Sequence, residues 1–248
     1  MATPVLRPLS IGEVLDTSFS LYRAAFGPLL AIAVVTGLIP QAISAYIEAS
    51  GGVTVNPGLY LANAVLALLL GAIGIGAATF VVSERYLGRE LPASVAFGKA
   101  MSYLGRTLVL WILGTLVIFI GLVLLLVPGL IIISGLILAV PALMLEGLPS
   151  GTRAMSRSWE LSRGLRFKAL ATVFVAYLMV MIPALALGVV AGLFGSGEGA
   201  PLLAAVVMTI LATIIMPYLY VVVTVLYYDA RVRKEAFDLE MLAAEISG

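Results

Sequence analysis

The 248-residue chain is 62% hydrophobic and only 11% charged, with a mean hydropathy of +1.16 and a formal net charge of +1. Soluble domains carry roughly 25% charged residues, so a soluble fold is excluded in favour of a helical membrane protein. Histidine and cysteine are both absent, which removes disulfides, thiol nucleophiles, and the commonest general base and metal ligand.

The chain opens with charges and helix signals rather than a short apolar core and a cleavage site, so no removable signal peptide is expected. Ser10 and Glu13 have the spacing of a capping box, and Ile11, Val14, Leu15, Phe19, Tyr22 and Phe26 follow at helical spacing. An amphipathic interfacial helix is predicted over 10–24. Two spans follow, at about 26–47 and 58–82. A second interfacial helix is expected over 94–105, with Phe97, Ala100, Met101 and Leu104 on one face and Lys99, Ser102 and Arg106 off it. Spans at 107–127 and 130–145 come next, joined by a tight turn at Pro128-Gly129. There, proline disfavours a helical preceding residue and glycine accepts a left-handed conformation. The fourth span is short, so it either thins the bilayer or belongs to a re-entrant hairpin.

A third interfacial helix is predicted over 151–163, with Met155 and Trp159 opposite Arg153, Arg157, Glu160 and Arg163, and Gly164 as its terminator. Spans at 169–193 and 201–228 complete the set, and a cytoplasmic tail occupies 229–248. Tyr227 and Tyr228 suit a membrane interface. Asp229–Arg233, Arg231–Glu235 and Lys234–Asp238 lie four apart, where opposite charges meet on one helix face for about 0.3–0.5 kcal/mol each. Each interfacial segment ends in Leu-x-Arg and precedes two spans, which suggests three weak repeats.

The runs are flanked by four groups of cations: Arg7 and Arg23; Arg85, Arg89, Lys99 and Arg106; Arg153, Arg157, Arg163, Arg166 and Lys168; Arg231, Arg233 and Lys234. The outward connections at 48–57, 128–129 and 194–200 then carry no Lys or Arg, which places both ends on the cytoplasmic side of a prokaryotic plasma membrane. The expected fold is all-α: a polytopic bundle of six transmembrane helices with three cytoplasmic-side interfacial helices, in a single domain.

Several segments carry a resemblance. Arg7-Pro8-Leu9-Ser10-Ile11-Gly12-Glu13-Val14-Leu15-Asp16 with Phe19 and Leu21-Tyr22-Arg23, then Pro128-Gly129, Leu145-Glu146-Gly147, Arg157-Ser158-Trp159-Glu160-Leu161-Ser162-Arg163-Gly164, and Tyr228-Asp229-Ala230-Arg231-Val232-Arg233-Lys234-Glu235 are similar to the membrane part of the glycerophosphoryl diester phosphodiesterase membrane domain family. The resemblance implies six spans without an assigned function. It does not carry over the catalytic barrel sometimes fused to that domain, which uses histidines and metal-binding carboxylates.

Other chemistry is also missing. Lys99, Lys168 and Lys234 are followed by Ala, Ala and Glu, so none closes a phosphate-binding loop. Gly74-Ile75-Gly76 lacks the third glycine of a dinucleotide fingerprint, and no Gly-x-Ser-x-Gly elbow exists. The spans hold no charge, only Gln41, Ser44, Asn63, Ser134 and scattered threonines, which argues against proton coupling or a charged substrate at the midplane. Pro40, Pro141, Pro183 and Pro217 lie within spans; the favoured reading is ordinary membrane-helix proline, and the other is a broken-helix binding site. Gly188 and Gly192 allow close helix approach.

The expected function is therefore non-enzymatic: a membrane scaffold or accessory subunit that meets anionic lipid and an unidentified membrane or cytoplasmic protein. No cofactor, metal or nucleic acid is expected. Arg153, Arg157, Arg163, Arg166 and Lys168 are the expected headgroup contacts, with Glu146, Asp229, Arg231 and Arg233 in structural ion pairs. The rival is a transporter or channel for a neutral or lipid-like substrate, favoured by a polar-lined cavity near Gln41, Asn63 and Pro217.

Overall fold

The computed structural model describes residues 7–194 and 209–236. Among them there is no strand. The elements are α1 (Ile11–Ala24), α2 (Phe26–Ala33), a π-helical turn (Val34–Leu38), α3 (Ile39–Ala49), α4 (Pro57–Tyr86), α5 (Ala93–Met101), α6 (Leu104–Leu124), α7 (Leu126–Leu136), α8 (Ala139–Leu145), α9 (Gly151–Leu161), α10 (Arg166–Phe194) and α11 (Pro217–Glu235). Six helical stretches are long and apolar enough to cross a membrane: Phe26–Ala49, Pro57–Tyr86, Leu104–Leu124, Leu126–Leu145, Arg166–Val190 and Thr209–Glu235. The chain is an all-α bundle of membrane-spanning length. Of the expected outward connection 194–200 only Phe194 is described, as the last residue of α10, and the start of the sixth span and Asp238, the expected partner of Lys234, fall outside the described residues.

The three short amphipathic helices α1, α5 and α9 each precede two of these stretches, and all three dock against the end of the bundle that carries most of the charge. α1 starts where its capping box requires. The Ser10 hydroxyl accepts from the Glu13 N–H at 3.3 Å, and the Glu13 carboxylate accepts from the Ser10 N–H at 2.7 Å. One face then buries Val14 and Ser18 against α11, α10 and α4, while Phe19 stays exposed. The second amphipathic segment is shorter than 94–105. Ser102 and Tyr103 interrupt it, and Leu104 begins the next long helix.

The α6–α7 hairpin turns three residues earlier than Pro128-Gly129. The break is at Leu125, whose backbone is extended, and Pro128 and Gly129 sit in the first turn of α7. Proline is tolerated there because its missing N–H would have had no helical partner. Gly129 serves contact rather than conformation: a Cβ there would lie 2.3 Å from Leu122 Cδ2 and 3.0 Å from Leu122 Cα. With those residues helical, the fourth span runs the full 20 residues of Leu126–Leu145.

Three of the four span prolines mark a change in the helix. Pro40 follows the π turn; Pro141 lies in the first turn of α8, after a break at Ile137 and Leu138; and Pro217 opens α11 after a break at Met216. Pro183 sits inside α10.

The core lies between α4 and α11, whose buried stripes include Ala77, Val81 and Val82 on one and Val221, Val222, Val225 and Tyr227 on the other. Glycines bring elements close elsewhere. At Gly135 a Cβ would meet the Trp159 ring at 2.3 Å, and at Gly151 it would meet the backbone of Leu110 and Arg106 at 2.6 and 2.8 Å. These contacts seat α9 against α7 and α6, and the Ser158 hydroxyl donates to the Gly135 carbonyl at 2.7 Å. The far end of the α6–α7 hairpin is exposed and apolar from Leu122 to Val127, as a lipid-facing surface is.

Candidate functional site

Seven charged side chains gather where the end of α8, α9, α10, α11 and the segment before α1 come together. Two networks form there. The first is built on Glu146, which follows α8. It accepts from Arg157 Nε at 2.7 and 2.9 Å and from the Tyr227 hydroxyl at 2.9 Å. Arg157 reaches on to Glu235 at 2.5 Å, and Glu235 also takes Arg231 Nε at 2.8 Å one helical turn back. Burial alone would lower the Arg157 pKa, yet the hydrogen bonds to Glu146 and Glu235 push it above its ordinary value.

The second network is built on Asp229, only 2% exposed. Its carboxylate accepts from the Leu9 N–H at 2.7 Å, from Lys168, and from Arg233 Nε at 3.1 Å. The Leu9 carbonyl in turn accepts from Lys168 Nζ at 2.6 Å and Arg233 at 2.7 Å. The backbone N–H and C=O of one residue ahead of α1, Leu9, are thus both clamped by α10 and α11. A paired, hydrogen-bonded charge is the form in which an ion can be buried at all.

The five cations expected at headgroups therefore divide. Arg157 and Lys168 point inward and are held by Glu146, Glu235 and Asp229. Arg153 and Arg163 are exposed and make no ion pair among the described residues. The Arg166 guanidinium sits over the Trp159 ring, 3.8 Å from its centroid, and its buried Nε has no hydrogen-bond partner among the described residues. Phe167 beside it is 85% exposed. Tyr227 and Tyr228, expected at an interface, are buried instead. Tyr228 pairs its hydroxyl with Ser83 at 2.6 Å and its ring with Tyr86, because α11 remains packed on α4 to its last turns.

Elsewhere on the same end the ion pairs are local and more exposed: Arg7 with Glu13, Arg85 with Glu90 at 2.6 Å, and Arg89 with Glu84 at 2.5 Å. Among the described residues no three carboxylates gather as a metal would need. Sequence reasoning missed Glu235 as a partner of Arg157 and Leu9 as the residue clamped through its backbone. The first had a signal in its place within a charged helix; the second, a backbone group, had none. Residues 7–16, 145–147, 157–164 and 228–235 supply nearly all of both networks. Compared with family models, curated proteins and solved structures, the chain matches none.

Proposed function

We propose that the protein is a non-enzymatic membrane scaffold or accessory subunit, resident in a prokaryotic plasma membrane with both ends on the cytoplasmic side. Its charged end holds anionic lipid headgroups and meets a protein partner. The observation that carries the lipid contact is the division of the cations. Arg157 and Lys168 hold α9 and α10 to their neighbours, while among the described residues Arg153, Arg163 and Arg166 make no ion pair with a carboxylate, and Arg166 adjoins the exposed ring of Phe167. Basic groups beside an exposed aromatic suit the headgroup boundary, where the ring enters the acyl edge and the cations meet anionic lipid. The resemblance to the glycerophosphoryl diester phosphodiesterase membrane domain family belongs to the same proposal and rests on the motifs that build the two networks.

The test is lipid selectivity of the full chain. Purified from mixed membranes into nanodiscs, the wild type is expected to retain phosphatidylglycerol in excess over phosphatidylethanolamine. The combined Arg153→Gln, Arg163→Gln and Arg166→Gln variant is expected to lose that excess. Equal enrichment in both proteins removes these three arginines from the reading.

A further inference from the structure

A cavity of about 170 Å³ lies between the first and last spanning stretches, bordered by Thr36, Gly37, Gln41, Thr213, Pro217 and Tyr220. Both helices break beside it, one at the π turn before Pro40 and the other at Met216 before Pro217. The two prolines have no N–H, so the carbonyls four residues earlier receive no α-helical bond from them. Those carbonyls belong to Thr36 and Thr213, and both residues border the cavity. Their hydroxyls are already spent on Ile32 and Thr209, each at 2.8 Å. The neighbouring Ile214 carbonyl is taken by the Tyr22 hydroxyl. Among the described residues the Gln41 amide and the Tyr220 hydroxyl have no partner. Interrupted backbone at membrane depth persists where protein or a cavity's contents satisfy it.

We infer that this cavity binds the uncharged, hydroxyl-bearing end of a lipid, and that Gln41 is its principal polar contact. Three features select that chemistry. Among the described residues no charged side chain borders the cavity, and it lies at the middle of the first stretch and in the first half of the last, within apolar runs where a charged group is costly. Carbonyl acceptors and an amide suit a hydroxyl, which both donates and accepts. Val34, Val35, Leu38 and Met216, on the flanking turns, are exposed and apolar, so the bilayer itself is the route of entry. The space well exceeds the roughly 15 Å³ that one water requires. A free hydroxyl could come from a diacylglycerol or from a long-chain alcohol. The site stands apart from the headgroup contacts at the charged end, so either proposal can fail alone.

The experiment uses the full chain in phosphatidylcholine nanodiscs with two photoactivatable probes, a diacylglycerol and a long-chain prenyl alcohol. Saturable labelling of at least one probe is expected, displaced by the unlabelled hydroxyl lipid and not by phosphatidylglycerol. Gln41→Leu, which removes the amide at similar volume, is expected to weaken binding about tenfold, the scale of one lost hydrogen bond. Ala212→Trp, which fills the cavity, is expected to abolish it. Both variants are scored on protein that elutes and melts like the wild type; if Ala212→Trp does not, Gln41→Leu decides. Which probe saturates names the source of the hydroxyl. Unsaturable uptake, equal displacement by phosphatidylglycerol, or an unchanged Gln41→Leu overturns the inference.

Discussion

At Asp229 one carboxylate serves donors from three parts of the chain: the Leu9 backbone, Lys168 on α10 and Arg233 on its own helix. Replacing it with asparagine leaves two cations and an N–H facing an amide, and breaking a buried pair from one side costs about 3 kcal/mol or more. Asp229→Asn is expected to lose that much in denaturant unfolding in mixed micelles. Glu90→Gln is expected to lose less than about 1 kcal/mol, since Glu90 is an exposed partner of Arg85. A loss at Asp229 no larger than at Glu90 would remove the clamp from the stability account. Glu13 offers a pH test. Hydrogen bonds from Arg7 and the Ser10 backbone hold its carboxyl down at about 2, against an ordinary 4.5. A depressed folded pKa means the capping box contributes fully above about 4.5 and is lost as pH falls towards 2. Protection of the Ser10 and Glu13 amides, taken relative to their intrinsic exchange rate, is therefore expected to fall over that window, and to be low at neutral pH in Glu13→Ala.

Elements here are positioned by glycine and proline as much as by apolar pattern. Gly151 meets backbone atoms of α6, which cannot rotate away, so Gly151→Ala is expected to displace α9 and cost about 1–3 kcal/mol. Gly98, in the middle of α5, has nothing within 4 Å of an added Cβ. Gly98→Ala is expected to stabilise by about 0.5–1 kcal/mol through helix propensity. Unfolding measurements on the two variants decide whether close packing or conformational freedom governs each site. The sequence showed α1 to within one residue at each end, since a capping box is a local signal. It misplaced the α6–α7 turn, because Pro128-Gly129 resembles a turn motif when read alone. Only the facing Leu122 reveals that the glycine is there for contact.

For the whole molecule, the proposed orientation is directly measurable because the chain lacks cysteine. Thr54→Cys and Leu125→Cys are expected to react with an impermeant maleimide added outside intact cells, and Ser156→Cys only after permeabilisation. Labelling of Ser156→Cys from outside would invert the topology, and silence at Leu125→Cys would indicate that the α6–α7 hairpin does not cross.

Hydropathy, length and the absence of charge in the long runs determined by themselves that the chain makes an all-α bundle with six stretches of membrane-spanning length. Those properties are sums over local residues, and water excludes such runs whatever their neighbours. Tertiary structure alone decided which cations are held in ion pairs among the described residues. Lys168 and Asp229 stand 61 residues apart, and Leu9 and Asp229 stand 220 apart; only packing brings such groups within hydrogen-bonding reach. The same holds for the cavity. Pro40 and Pro217 look like ordinary membrane prolines one at a time, and the break in each helix becomes a site because the other faces it.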